Sequence, residues 1–355
     1  MKLALIQECD SPNGVQPPPS RYFEMVDEAQ AAEQAGFGTY LVSEQHFNPT
    51  IATASSPESL LPYIAAKTST IKLRVGAFVL LSFNHPIRVA ERSALLDILT
   101  NGRFEIGTAR SNNPETLAAF QLSPDQTRGQ WEESIEIIRG LLMNEKWEHH
   151  GPNWAFPPIT TMPRPITKPH PPIYAAASSL ESHFNAGKYG LGVMTGNSLT
   201  GGWDYCAAGL EQYAKGIEVQ DAHGGLVTES RGVLAAVAYC AETNEKAKER
   251  ASEVAYRFVG LVAGWYKDLS TNSKDYKDMA GMKEVVDQRG DVQEMIDRSP
   301  YLTIGTPEFF LERCRRLADL GYNELICRID GQPPEEIMAT IDLLGREVIP
   351  VIDTW

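Results

Sequence analysis

The 355-residue chain is 43% apolar, enough for a large core, and sets 32 Lys and Arg against 46 Asp and Glu for a formal charge of −14. With no basic surplus to release counterions, phosphate-backbone and anionic-membrane partners are disfavoured, so neither nucleic acid nor membrane is expected. No apolar run approaches the ~18 residues of a membrane span, and Leu3 to Ile6 is too short for a signal-peptide core. Five scattered cysteines (Cys9, Cys206, Cys240, Cys314, Cys327) never form CxxC, so the expected location is a reducing cytoplasm, without a disulfide framework or zinc knuckle.

Taken in chain order, apolar β-branched runs alternate with helical patterns. A strand at Leu3 to Glu8 precedes a helix at Arg21 to Ala35 that stops at Gly36. Strand Thr39 to Ser43 precedes helix Pro57 to Thr68, strand Lys72 to Leu81 precedes helix Pro86 to Thr100, and strand Phe104 to Ala109 precedes helix Arg128 to Met143. The Pro- and Trp-rich stretch from Asn144 to His170 reads as an ordered extended excursion. Then come strand Pro172 to Ala176, helix Leu180 to Lys188, strand Gly192 to Thr195, helix Trp203 to Lys215, strand Gly232 to Cys240 and helix Glu245 to Phe258. A charged segment from Lys267 to Pro300 is too polar for core and reads as a mobile lid. It is followed by a helix opening at Thr306-Pro307, strand Glu324 to Ile329 and helix Pro334 to Val348.

Strands alternating with helices imply parallel pairing, and eight such units predict an α/β fold, a (β/α)8 TIM barrel with an insertion before the last strand. A doubly wound sheet is the competing arrangement. Residues 1–355 are read as a single domain, the lid spanning 267–300.

Several motifs are excluded. The glycines of GLGVMTG at Gly190 have GxGxxxG spacing and surround a short strand instead of following one, unlike a dinucleotide fingerprint. GNSLTG around Ser198 has one residue too many for a nucleophile elbow. His149 and His150 are adjacent and point in different directions on any regular element, so no metal site is expected.

In such a barrel the polar residues at strand C-termini carry functional weight. Here they are Ser43-Glu44-Gln45-His46-Phe47, Ser82-Phe83-Asn84-His85, Ala109-Arg110-Ser111 and Ala177-Ser178-Ser179. Small residues before Arg110 (Gly107, Thr108, Ala109) would let a flat ligand approach the backbone. Ser178 and Ser179 stand at the start of a helix whose free N–H groups favour phosphate, although Ser179 also suits an ordinary N-cap. Arg110 matches phosphate in a bidentate fork or an ion pair with a neighbouring carboxylate, and Arg128, opening its helix, adds a second cation.

GRFEIGTAR at Gly102 to Arg110, the Arg88 to Asp97 helix, Glu44-Gln45-His46-Phe47, the Pro172 to Ser179 strand and Gly305-Thr306-Pro307-Glu308 together resemble the bacterial luciferase-like flavin-dependent monooxygenases, in order from Met1 to about Pro350. The resemblance implies a (β/α)8 barrel and an enzyme that uses FMN as FMNH2 supplied by a separate flavin reductase. It would react with O2 through a flavin C4a-hydroperoxide and insert one oxygen into a small organic substrate, an aldehyde, ketone or heteroatom compound. It places Arg110, Arg128, Ser178, Ser179 and Ser182 around the flavin phosphate, and a non-prolyl cis peptide near Ala77-Phe78 beneath the flavin ring. Where luciferase has two successive histidines this chain has Gln45-His46, and glutamine cannot move a proton near neutral pH, so His46 or Gln45 is left to steer the chemistry. The family's early helices imply a homodimer, and the small residues Ala29 to Ala35 suit either that contact or packing on the chain's own barrel. Rival readings are a deazaflavin-dependent hydride-transfer enzyme on the same barrel, a non-catalytic flavin-binding protein, and a glycosidase-type barrel, which the scarcity of strand-end carboxylates beside Glu44 disfavours.

Overall fold

The computed structural model describes residues 1–12, 14–220, 228, 230–279, 281 and 292–355. Its centre is a ring of parallel strands: β1 (Lys2–Gln7), β2 (Thr39–Val42), β3 (Lys72–Val75), β4 (Phe104–Ala109), β5 (Ile173–Ala177), β6 (Gly192–Thr195), β7 (Arg231–Ala235) and β8 (Glu324–Arg328). Each pairs in parallel with the next, and β8 returns to β1, so the sheet closes without an edge. A short segment, Phe78–Val79, continues β3 beyond the cis peptide Gly76-Ala77 and pairs with the end of β4. The ring order puts β4 and β8 on opposite sides of the barrel.

Alternation divides the strand residues into two sets. Leu3, Leu5, Tyr40, Val42, Leu73, Phe104 and Ile106 belong to the core shared with the surrounding helices. Ala4, Ile6, Leu41, Tyr174, Met194 and Ile326 form a separate apolar layer inside the barrel. A fully buried side chain of this size contributes about 1.5–3 kcal/mol.

The interior also holds a buried charge cluster. The Arg74 guanidinium, 1% exposed, reaches Glu105 Oε2 at 2.6 Å and Glu324 Oε2 at 2.7 Å, and stacks 3.7 Å over the Tyr174 ring. Tyr174 donates its hydroxyl to Glu105 (3.2 Å) and Lys72 lies 3.0 Å from the same carboxylate. Two glycines make room for this packing. A Cβ at Gly192 would fall 2.5 Å from the Tyr174 ring, and one at Gly107 would fall 2.0 Å from the Val75 carbonyl oxygen. The sequence-based explanation for the small residues before Arg110 is therefore corrected: Gly107 serves strand-to-strand approach. Thr108 is fully buried, donating to the Tyr174 carbonyl (2.8 Å) and accepting from Trp131 Nε1 (3.1 Å). Of the three, Ala109 alone lines the ligand-sized cavity.

Several predicted elements differ from the observed ones. The single strand expected over Gly232 to Cys240 divides, and Val237–Cys240 leaves the ring to pair with Leu302–Gly305, a strand not predicted. The Pro-rich excursion contains an antiparallel hairpin, Trp147–His150 with Ala155–Ile159. The helix expected to end at Phe258 runs from Asn244 to Asn272, because Val259, Val262, Ala263, Tyr266 and Leu269 continue a buried stripe beneath its charged face. Of the predicted lid, Lys267 to Asn272 thus completes a helix, Lys274–Met279 is a 3-10 turn and Val292–Arg298 is a short helix. Residues 280 and 282–291 of that segment lie outside the described residues.

The alanine run from Ala29 packs within the chain: Ala29 and Ala32 are fully buried, and a Cβ at Gly345 in helix Pro334–Glu347 would fall 2.6 Å from Ala35 Cβ. All five cysteines are free thiols and buried. No described helix is long and apolar enough to cross a membrane.

Burial pushes the Glu105 carboxyl up, but Arg74 and Lys72 outweigh it and hold it below the ordinary carboxylate range. A carboxylate depressed in the folded state stabilises fully above its unfolded pKa of about 4.3, and that contribution is lost as pH falls through the folded value. Glu105→Gln should therefore flatten the acid limb of stability against pH in urea titrations. Arg74→Met, which strips the buried Glu324 of its cation and leaves Glu105 with Lys72 alone, should cost about 3–5 kcal/mol at pH 7 in the same measurement.

Candidate functional site

A cavity of about 190 Å3 opens at the C-terminal end of the barrel, where Ile6, Leu41, Ala77, Met194, Leu234 and Ile326 give it an apolar floor. Strand alternation brings these residues inward, and the next residues along the same strands form a polar rim. From that rim Glu8, Glu44, Gln45, Arg110, Ser178 and Arg328 line the cavity. Phe258, Trp265, Tyr266, Tyr276 and Tyr301, from the long helix and the segments after it, also line it.

One corner is suited to an anion. Arg110 follows directly on β4, its side chain is 11% exposed, and its Nη1 has no hydrogen-bond partner among the described residues. Burial, followed by the influence of Arg128, lowers its pKa, so an incoming anion would gain a strong partner. The Tyr276 ring lies 5.2 Å from the guanidinium. Ser178 and Ser182 line the same cavity; Ser179 caps helix Leu180–Lys188, its Oγ accepting from the Ser182 amide at 3.2 Å. Arg128 does not line the cavity but is held 2.9 Å from Glu181 and 3.4 Å from Asp275 Oδ2. That same oxygen lies 3.8 Å from Arg110 Nη1. The cations and serines thus meet at one corner, with Ser179 contributing through its cap, and the neighbouring carboxylate weighed from the sequence is also present as Asp275. A guanidinium nitrogen that makes no hydrogen bond to the described residues, beside hydroxyls and a helix N-terminus, fits a phosphate group.

At the end of β2 the two singled-out residues separate. Gln45 lines the cavity and His46 does not. The His46 ring packs edge-on against Phe83 and Phe120, each at 5.6 Å, and its Nε2 lies 3.0 Å from Glu44 Oε1. Glu44 is the residue that faces the cavity with this histidine attached. It also accepts from the Val79 amide (3.0 Å) and from Asn84 Nδ2 (2.7 Å). Burial raises the Glu44 carboxyl above the ordinary range despite the opposing pull of His46. Sequence reading noted Glu44 as a strand-end carboxylate without giving it a role, although its position directly before Gln45 was the available signal.

At β3 the cis bond joins Gly76 to Ala77, one residue before the expected place. Ala77 lines the cavity, whereas Phe78 is fully buried in the outer core, because alternation turns it towards the helices. Two residues that sequence reading left out complete the rim, Glu8 after β1 and Arg328 at the end of β8, joined at 2.6 Å.

Residues 2–324 match the luciferase-like monooxygenase family, and the chain belongs to that family of flavin-dependent oxidoreductases. It is 27% identical, over 99% of its length and 95% of the other, to the oxygenase component of a flavin-dependent trigonelline monooxygenase from Acinetobacter baylyi. An uncharacterised protein of Sinorhizobium fredii is 32% identical over 46% of this chain, which spans about half (47%) of that relative's length. Among solved structures, the oxygenating constituent of 3,6-diketocamphane monooxygenase from Pseudomonas putida, in complex with FMN, superposes with a TM-score of 0.78 at 20% identity, covering 99% of this chain and 98% of that one. The coenzyme F420-dependent tetrahydromethanopterin reductase of Methanopyrus kandleri does so with 0.72 at 18% identity, covering 99% of each.

Asp275 holds the place beside both arginines that a phosphate would compete for. Asp275→Asn should therefore tighten FMN binding several-fold while leaving phosphate-free riboflavin unchanged, as read by titration of flavin fluorescence.

Proposed function

We propose that the protein is the oxygenase component of a two-component monooxygenase that receives reduced FMN from a separate flavin reductase and inserts one atom of O2 into a small organic substrate. The observation that carries this reading is the buried Arg110 Nη1, without a hydrogen-bond partner among the described residues, at the edge of an apolar cavity that Ser178 and Ser182 also line. Reduced FMN, when bound, supplies the electrons that divide O2 between product and water.

In this reading Arg110 and Arg128 hold the phosphate, assisted by Ser178, Ser182 and the helix end capped by Ser179. The apolar floor that includes Ala77 receives the flat ring. Gln45 orients groups at the ring edge as donor or acceptor. Glu44, with its raised carboxyl and its hydrogen bond to His46, holds a proton at the cavity wall, which gives His46 a positioning role through Glu44. Trp265, Tyr266 and Tyr276 close over the cavity as a lid that keeps water from the site. The exposed Phe23, Tyr63, Leu95 and Leu99 on the early helices support a homodimer, and the reduced thiols suit a cytoplasmic setting.

The second reading, hydride transfer with a deazaflavin, is favoured by the barrel shared with the F420-dependent reductase. Mixing the purified protein anaerobically with reduced FMN and then admitting O2 separates the two. A bound flavin whose reoxidation spectrum and rate differ from those of free FMN supports the monooxygenase. Failure to bind FMN, together with tight deazaflavin binding, selects hydride transfer. Within the first reading, Arg110→Ala and Arg128→Ala should each weaken FMN tenfold or more and riboflavin far less. Equal losses for both flavins would remove the arginines from the phosphate site.

A further inference from the structure

Across the barrel from the Arg110 corner lies a second guanidinium that the phosphate site does not use. Arg328 closes β8, diametrically opposite β4, and is 1% exposed. Its Nε donates to Glu8 Oε2 at 2.6 Å and its Nη2 to Asp10 Oδ2 at 3.0 Å, while the guanidinium lies 3.9 Å over the Phe258 ring. Nη1 has no partner among the described residues, yet Arg328 lines the cavity. Burial without a hydrogen-bond partner leaves the desolvation cost of a charged donor uncompensated, and a ligand acceptor would recover it. Phe258, Trp265, Tyr266 and Tyr301 line the same cavity.

We propose that Arg328 recognises the organic substrate by donating from Nη1 to a neutral carbonyl oxygen, and that the aromatic wall beside it selects a flat carbonyl compound. This rests on the reading that FMN occupies the Arg110 side. The charge count around Arg328 decides between a carbonyl and a carboxylate. Arg21, Arg257 and Arg328 form one largely buried cluster with Glu8, Asp10, Glu24, Glu28 and Asp330, three cations against five acids. The Arg328 guanidinium already has two carboxylate partners, Glu8 and Asp10, so a ligand carboxylate would add one more acid where acids already outnumber cations. A neutral carbonyl needs only the free donor and adds no charge. Hydrogen bonding at its oxygen also makes the carbonyl carbon more electrophilic, which marks the substrate as the partner that accepts a nucleophilic oxygen.

The test compares three probes of one shape: acetophenone, ethylbenzene, which lacks the acceptor, and benzoate, which adds a charge. Each is titrated calorimetrically into the protein, with and without saturating FMN, after FMN binding itself has been measured. Failure to bind FMN overturns the functional reading above, and the probe series then still runs on the flavin-free protein. Acetophenone should bind at least tenfold more tightly than either of the others. Equal binding of acetophenone and ethylbenzene, or preference for benzoate, overturns the assignment. Arg328→Lys keeps a cation beside Glu8 and Asp10 but removes Nη1, and should bring acetophenone down to the ethylbenzene level with riboflavin binding unchanged. A parallel loss of riboflavin would assign Nη1 to the cofactor ring and overturn the proposal. The wild-type probe series decides the matter if this variant does not fold.

Discussion

The Arg74 clamp is the constraint around which the barrel interior is arranged. One guanidinium joins β3 to β4 through Glu105 and to β8 through Glu324, and its flat face lies on the Tyr174 ring from β5. A buried charge is tolerated only with nearly complete pairing, so the clamp ties these strands to one register and leaves little freedom in how they close. It also limits what can surround it. Gly192 is needed where Tyr174 lies, and Gly107 where β3 and β4 draw together.

Above the clamp the barrel changes character in layers. A thin apolar stratum of small and medium side chains separates the lower charges from the rim, and the cavity rests on it. The rim itself is divided. On the β4 and β5 side are arginines and hydroxyls whose anionic neighbours, Asp275 and Glu181, come from other elements. On the β8 and β1 side, cations and acids are already interlocked, and among the described residues the Arg328 Nη1 donor at the cavity is left without a hydrogen bond. The same residue type therefore has two different chemical meanings across one cavity, set by how much of its charge is already neutralised.

The barrel was legible because its cause is periodic: eight apolar runs separated by helical stripes, each recurring in the expected order. The strand break after Ala235 was hidden because Gly232 to Cys240 is one continuous apolar run, and periodicity cannot show a change of partner within it. Leu302–Gly305 escaped notice as a four-residue stretch with only Leu302 and Ile304 strongly apolar, at the edge of a charged segment. At the site, Arg110, Ser178 and Gln45 were found because they stand where strands become loops. Phe78 was misplaced because a one-residue offset inverts which face a side chain takes. Arg328 and Glu8 were passed over because the first and last strands were read for their apolar runs and not for their ends. Their mutual pairing, 320 positions apart, exists only once the ring has closed.

The five cysteines have a bearing on how long such a protein lasts. Burial pushes the Cys9 thiol up to about 11 and the Cys206 and Cys314 thiols to about 12, so these three remain protonated at neutral pH. Thiolate and exposure together determine how quickly peroxide oxidises sulfur, and here both are withheld. On the proposed function, the protein would be exposed to the peroxide that escapes from uncoupled turnovers. Its cysteine thiols are sheltered in the packed interior, so self-inflicted oxidation would fall first on other side chains, such as the exposed Met162.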